Sequence, residues 1–459
     1  MVFAGCGSEV QARPNVLFII VDDLRTELPV YGAEHIQAPN IDAFASSGVV
    51  FANAYANVPV CGASRASFMS GLRPTRDRFV DYNARIDEDA PDIVPLHALL
   101  KSNGYFTESI GKVLHHTADS KVGWSRKPWD PKADVPEERH TGHANYYLWE
   151  NIDSFKKDGF GPATESVAVK DNAYFDAKIS QRAVSSLKRL AKADQPFFLA
   201  VGFVKPHLPF TAPKKYWDLY DRDEIVLASP DAMPDGIPAQ ANHNWGELRK
   251  FADIPAAPAS VPEDKARELR HGYYASISYV DAQIGKVLRT LEELGLQEDT
   301  IVLLIGDHGW SLGEHGLWAK HSPFDLATHS PAIVRSPALG AKGVSSGLIE
   351  FVDIYPTLMD LLELPAPEHL QGQSFKAQLV DPDSTGKPVV FPRWKSGEVV
   401  KTDDFSMTTW FDREGKIDAR MLFDHNVDRD EINNVIDDPR YRDVADELDR
   451  ITRELVETR

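Results

Sequence analysis

Three places along the chain bring reactive side chains together at spacings that could do chemistry. Asp22-Asp23 ends one apolar run, Asn15 to Val21, and Asp307-His308 ends another, Thr300 to Gly306. Adjacent carboxylates at the end of a buried strand are costly unless something cationic sits beside them. A helix cap and a surface turn are the plainer alternatives. The third place is Pro59-Val60-Cys61-Gly62-Ala63-Ser64-Arg65, where a helix is predicted to start beside Cys61 with Ser64 as a candidate cap. A thiol there would feel the helix dipole and Arg65, which lower its pKa. Taken by itself, a cysteine at this point is as readily a small residue packed against the sheet.

The elements that must position these groups follow from hydrophobic pattern. Runs 15–21, 196–203 and 300–306 are continuously apolar, as strands buried on both faces of a parallel sheet require. Amphipathic helices are predicted over 171–192, 263–294 and 353–362, the last with Pro356 in its first turn. Such alternation means a mostly parallel sheet with helices on both faces, and ligands then bind beyond the carboxyl ends of the strands. Asp22-Asp23 and Asp307-His308 both fall at those ends. Segments 118–165 and 205–262 are rich in Pro, Asp and Trp and too long for plain connections, so they are expected to wall the site. From about Gly386 the pattern changes to a hairpin, 398–402 against 405–410, and a closing helix over 438–458.

Composition sets bounds. The chain has 459 residues, 42% hydrophobic and 26% charged, enough for a large α/β domain and a smaller one. No apolar run approaches the ~20 residues of a membrane helix. Sixty-nine acidic against 50 basic residues leave a formal charge of −19, which argues against nucleic acid as a partner. Two cysteines, Cys6 and Cys61, make neither a disulfide framework nor a zinc pair.

Cys61-x-Ala63-x-Arg65, followed by Ser67-x-x-x-Gly71, resembles the signature of type I sulfatases, Cys-x-(Pro or Ala)-x-Arg. The resemblance extends from about Pro14 to Asn434. Gly111-Lys112-Val113-Leu114-His115, Lys205-Pro206-His207-Leu208-Pro209-Phe210 and Asp307 to Lys320 resemble the iduronate-2-sulfatase branch in particular. The family implies an alkaline-phosphatase-like α/β sandwich: a large mostly parallel sheet flanked by helices, with a smaller C-terminal α+β subdomain containing an antiparallel sheet. On this reading residues 1–13 precede the fold, 14–385 form the catalytic domain and 386–459 the C-terminal subdomain.

The resemblance also implies a chemistry. Cys61 is oxidised to formylglycine by a maturation enzyme. One hydroxyl of the hydrated aldehyde attacks sulfur, and the second later expels sulfate, which an ordinary Ser or Cys cannot do. One calcium ion is implied, held by Asp22, Asp23, Asp307 and His308 with residue 61 completing the shell; three carboxylates suit a hard cation. Arg65 and Lys112 would hold the formylglycine hydroxyl and a sulfate oxygen. Lys320 would bind sulfate, His207 or Lys320 would protonate the leaving oxygen, and His115 would orient the second hydroxyl. Trp310 is expected to stack on a sugar, Asp81 and Asn83 to line the pocket, and Lys401 to meet a uronate carboxylate. The implied substrate is a sulfated oligosaccharide or polysaccharide, and the acidic charge of the chain together with the two wall segments leads to an expectation of attack from a chain end.

Two other functions compete: a phosphoester or phosphonate hydrolase on the same scaffold, and a non-catalytic glycan-binding relative. No second set of metal-ligand residues favours a two-metal hydrolase. At the N-terminus, Ala4-Gly5-Cys6 resembles the end of a bacterial lipoprotein signal peptide. Lipidation of Cys6 and a bacterial envelope location, periplasmic or surface-exposed, are the expectation; an ordinary terminus with a chance cysteine is the plainer one.

Overall fold

The computed structural model describes residues 13–457. Cys6 and the rest of segment 1–12 lie outside the described residues. The main sheet is built from β1 (Asn15–Val21), β2 (Val49–Phe51), β3 (Phe106–Gly111), β4 (Phe197–Phe203), β5 (Thr300–Gly306), β6 (Ala332–Arg335) and β7 (Gly343–Ser345). Its strand order is β7-β2-β6-β5-β1-β4-β3, and β6 alone runs against its neighbours.

β1 sits inside this sheet, parallel to β4 and β5. Its alternate side chains enter two separate cores. Leu17, Ile19 and Val21 pack with one face, and Val16, Phe18 and Ile20 with the other. That double burial is why the strand reads as an unbroken apolar run, and each such side chain contributes about 1.5–3 kcal/mol by leaving water. The first face is covered by α2 (Phe175–Leu190) and α3 (Glu263–Glu293). The second carries α1 (Cys61–Ser70) and α4 (Ile354–Leu361). The helix expected from residue 171 starts at Phe175, because Asp171–Ala173 forms a separate 3-10 turn.

The two wall segments are not independent loops. Thr164–Val167 of the first pairs in parallel with Phe210–Pro213 of the second. The first also contains a helix, Trp149–Asp158, which its polar composition hid. Buried Glu165 ties this wall together by accepting from the backbone of Tyr147 and Leu148 and from the Tyr174 hydroxyl.

Beyond the main sheet, β8 (Arg393–Trp394), β9 (Gly397–Lys401), β10 (Phe405–Phe411) and β11 (Ile417–Asp424) form a four-stranded antiparallel sheet. The expected hairpin is β9–β10, with Lys401 opposite Ser406. α5 (Arg442–Glu457) packs Ala445 and Leu448 on Val400, Met407 and Leu422. Among the described residues no helix is long and apolar enough to cross a membrane.

Candidate active site

The carboxyl ends of β1 and β5 meet the start of α1. Asp22 continues the strand pairing, its N–H donating to Phe203 O at 3.2 Å. Asp23 then turns into left-handed backbone (φ 59°), a conformation that costs a non-glycine residue and is retained at functional sites. The turn is held from both sides. Asp23 N–H donates to Asp307 Oδ1 at 2.9 Å, and the Tyr273 hydroxyl donates to Asp23 O at 2.7 Å.

Cys61 is the first residue of α1, and every residue of that helix is buried. Ser64 does not cap it; its hydroxyl donates to Asp307 O instead. Arg65 is wholly buried and bridges the two strand ends, with Nη2 2.8 Å from Asp22 Oδ1 and Nε 2.9 Å from Asp307 Oδ2. Lys112, just past β3, pairs with Asp22. Lys320 Nζ lies 2.8 Å from Asp23 Oδ1 and 3.1 Å from Glu247 Oε1. It stands between Ala319 and His321, both left-handed. His308 Nε2 is 3.3 Å from Cys61 Sγ, 3.5 Å from Asp23 and 3.6 Å from Asp307. His207 Nε2 is 3.3 Å from Glu247 and 3.9 Å from Asp23.

The electrostatics divide the carboxylates. Burial raises the Asp22 pKa, but Lys112 and then Arg65 overcome it and hold the group well below the usual range. Asp23 ends above its ordinary value, because burial and neighbouring Asp22 outweigh Lys320 and His207. The Cys61 thiol is pushed well up, first by burial and then by Asp22. This corrects the expected depression: burial and Asp22 outweigh the cations around the thiol, and Arg65 is paired with Asp22 and Asp307. Burial and Lys112 hold His115 neutral, with a pKa of about 2.

The donor set fits a divalent cation. Ligand atoms of Asp22, Asp23, Cys61 and His207 lie within 4.8 Å of one another, and so do those of Cys61, Asp307 and His308. Three of these six residues, Asp22, Asp23 and Asp307, offer the hard carboxylate oxygens that calcium favours, and Asp23, whose pKa stays raised, is the group such an ion would balance.

Two expected substrate contacts are corrected. Trp310 is 1% exposed and its ring lies beneath the Lys320 ammonium, 4.9 Å from the centroid. It braces that lysine and offers no face to a sugar. Lys401 is fully buried, paired with Asp325 and set over the Tyr55 ring, so it cannot meet a uronate. Asp81 and Asn83 are exposed on a turn in which Asn83 N–H donates to Asp81 Oδ1. That turn lies against the start of α1, where a Cβ on Gly62 would stand 2.3 Å from Tyr82 O. The Tyr82 ring approaches His115, with centroids 6.2 Å apart. Pattern reading missed Glu247 and His143. Neither belongs to a motif, and only their place in a wall segment marked them.

Residues 14–364 match the family described as "Sulfatase". The chain belongs to the sulfatase family. Residues 313–458 match the C-terminal region described for N-sulphoglucosamine sulphohydrolase. The human (Homo sapiens) iduronate 2-sulfatase is 36% identical over 426 residues, spanning 82% of this chain and 75% of that protein. Two solved structures share the fold at 21% identity. One is a protein in complex with its substrate D-glucosamine-2-N,6-O-disulfate (TM-score 0.75, 97% of this chain and 98% of that one). The other is the phosphonate monoester hydrolase of Silicibacter pomeroyi (TM-score 0.77, 97% and 95%). The fold alone therefore serves more than one ester; the sequence kinship marks this sulfatase as a sulfuric ester hydrolase.

Proposed function

We propose that this sulfatase releases sulfate from sulfated carbohydrates, acting from a chain end on oligosaccharides that contain a uronic acid. The observation that carries the reading is the buried constellation around residue 61. Four carboxylates (Asp22, Asp23, Asp307 and Glu247), two lysines, an arginine and the histidines His115, His207 and His308 converge there, an arrangement suited to a cation and an anionic ester with its developing charge. Kinship with iduronate 2-sulfatase supports the carbohydrate and its uronic acid. The formal charge of −19, which repels a long sulfated polymer, is what supports attack at a chain end. With Lys401 buried, the carboxylate must be read by another group.

Formylglycine at position 61 would supply a hydroxyl nucleophile, and calcium among Asp22, Asp23, Asp307 and His308 would neutralise sulfate charge. The raised thiol pKa makes unmodified Cys61 a poor nucleophile at neutral pH. Lys112 and Lys320 are held at the site by Asp22 and Asp23 and direct ammonium groups at sulfate oxygens. Arg65 fixes the two acidic strand ends relative to each other. His207, whose side chain is 17% exposed and lies 3.3 Å from Glu247, would donate a proton to the leaving oxygen. Neutral His115 accepts a hydrogen bond from a hydroxyl on residue 61. Conversion of Cys61 depends on a formylglycine-generating or equivalent enzyme in the host.

Defined sulfated oligosaccharides, with NMR mapping of the position that loses sulfate, test this reading. Release from chain ends is expected. Efficient release from the interior of polymer, or faster hydrolysis of a phosphonate monoester than of any sulfate ester, would overturn it. We further propose a bacterial envelope location through lipidation at Cys6. Membrane fractionation with and without Cys6→Ala tests it, and equal solubility of both forms would reject it.

A further inference from the structure

His143 lies in the first wall segment, outside every motif that marks the site. The wall reaches it by a short path from the sheet. Gly111 N–H donates to Trp129 O at 2.7 Å, so chain 129–132 is fastened to the end of β3 next to Lys112. Asp130 holds the Lys132 ammonium at 3.1 Å, and Lys132 Nζ in turn lies 3.1 Å from His143 Nε2. An ammonium can only donate, so Nε2 must accept. The ring proton therefore sits on Nδ1.

That Nδ1–H is enclosed by protein and has no hydrogen-bond partner among the described residues. The ring stands between His115 and His207, with centroid distances of 6.2 and 6.1 Å. Those two flank the ester on the reading above, one beside residue 61 and the other beside the leaving oxygen. An enclosed, unsatisfied donor costs about 1–3 kcal/mol, so it calls for a partner that arrives with the ligand. The ring is neutral, because burial and then Lys112 and Lys132 hold its pKa well below the usual range. The residue is partly exposed.

We propose that His143, with its tautomer set by Lys132, donates a hydrogen bond from Nδ1 to the sulfate group of the substrate. The inference rests on the sulfatase reading of the site and adds a binding residue to it. The contact is made to ester and to free sulfate alike, so its loss should fall on KM and on sulfate affinity rather than on kcat.

The test uses the calcium-supplied full chain. Inorganic sulfate binding is measured by titration calorimetry, and KM on a sulfate ester that the wild type turns over. His143→Ala should weaken both about tenfold, the size of one charge-assisted hydrogen bond. His143→Asn keeps an N–H at the Nδ1 position and should recover most of that loss. Lys132→Met should weaken sulfate binding when residue 143 is His and leave it unchanged when residue 143 is Asn. Wild-type KM and sulfate affinity in His143→Ala would overturn the proposal, as would His143→Asn being as impaired as His143→Ala. If His143→Ala does not fold, the Lys132→Met comparison decides. A wild type that turns over no sulfate ester would instead fail the functional reading, so the two failures are separable.

Discussion

Replacing Lys401 by Met separates two roles for that residue. The substitution keeps the aliphatic stem over Tyr55 and removes the charge. In the structure the ammonium is fully buried, pairs with Asp325 and lies 3.9 Å from Glu431. Breaking a buried pair by removing one partner costs about 3–5 kcal/mol, because the other charge stays behind. Here the lower end applies. The Asp325 side chain is 22% exposed and keeps His329 at 3.3 Å, and Glu431 keeps His425 at 3.0 Å. A loss of about 3 kcal/mol lowers the folding constant roughly a hundredfold. Thermal and urea unfolding would register it, while KM and kcat well below the transition should stay within about twofold of wild type. The sign of the pH effect follows from Asp325. Burial raises its pKa, but Lys401 and His329 hold it well below 3.8. Its contribution is thus present above the unfolded carboxylate range and is lost as pH falls through the folded value. Lys401→Met should flatten that acid-side loss. A KM raised severalfold with unfolding unchanged would refute this reasoning and return Lys401 to the substrate.

Two further outcomes follow from the same geometry. Asp22→Asn should abolish calcium binding by calorimetry and lower turnover about a thousandfold or more, the several kcal/mol a metal supplies to a charged transition state. It should also destabilise the fold, since Arg65 and Lys112 lose a buried partner; turnover that survives exhaustive chelation would contradict the metal assignment. Trp310→Phe should lower kcat/KM by a similar factor on every sulfated substrate, because the ring braces Lys320, and a changed sugar preference would show that Trp310 touches the sugar after all.

How much of this could be read from residues alone depended on burial. β1, β4 and β5 were visible because both faces are covered, which leaves no polar interruption. β3 was not, because it lies at the sheet edge and carries Thr107, Glu108 and Ser109, with Glu108 buried against Arg189 and Ser186. The acidic strand ends, the helix that starts at Cys61 and their basic partners stood in motifs, and the structure brings them together. Trp310 and Lys401 were misread for one reason. A strand or loop pattern gives the direction of a side chain but not what covers it. Val400 and Met407 pack under α5, and Lys401, on the other face of the same hairpin, is covered by Tyr55 and Asp325 of the main domain. Glu247 and His143 escaped because long irregular segments carry no periodicity, and only tertiary contact makes their charge and tautomer informative.

The central claim is that chemistry depends on an oxidised residue 61. Preparations with different degrees of Cys61 conversion should be compared by peptide mass spectrometry and by sulfate release from the same ester. The converted peptide has sulfur replaced by oxygen with loss of two hydrogens. Specific activity should rise in proportion to the converted fraction and extrapolate to zero at none. Full activity in protein whose residue 61 is entirely unmodified cysteine would contradict the account.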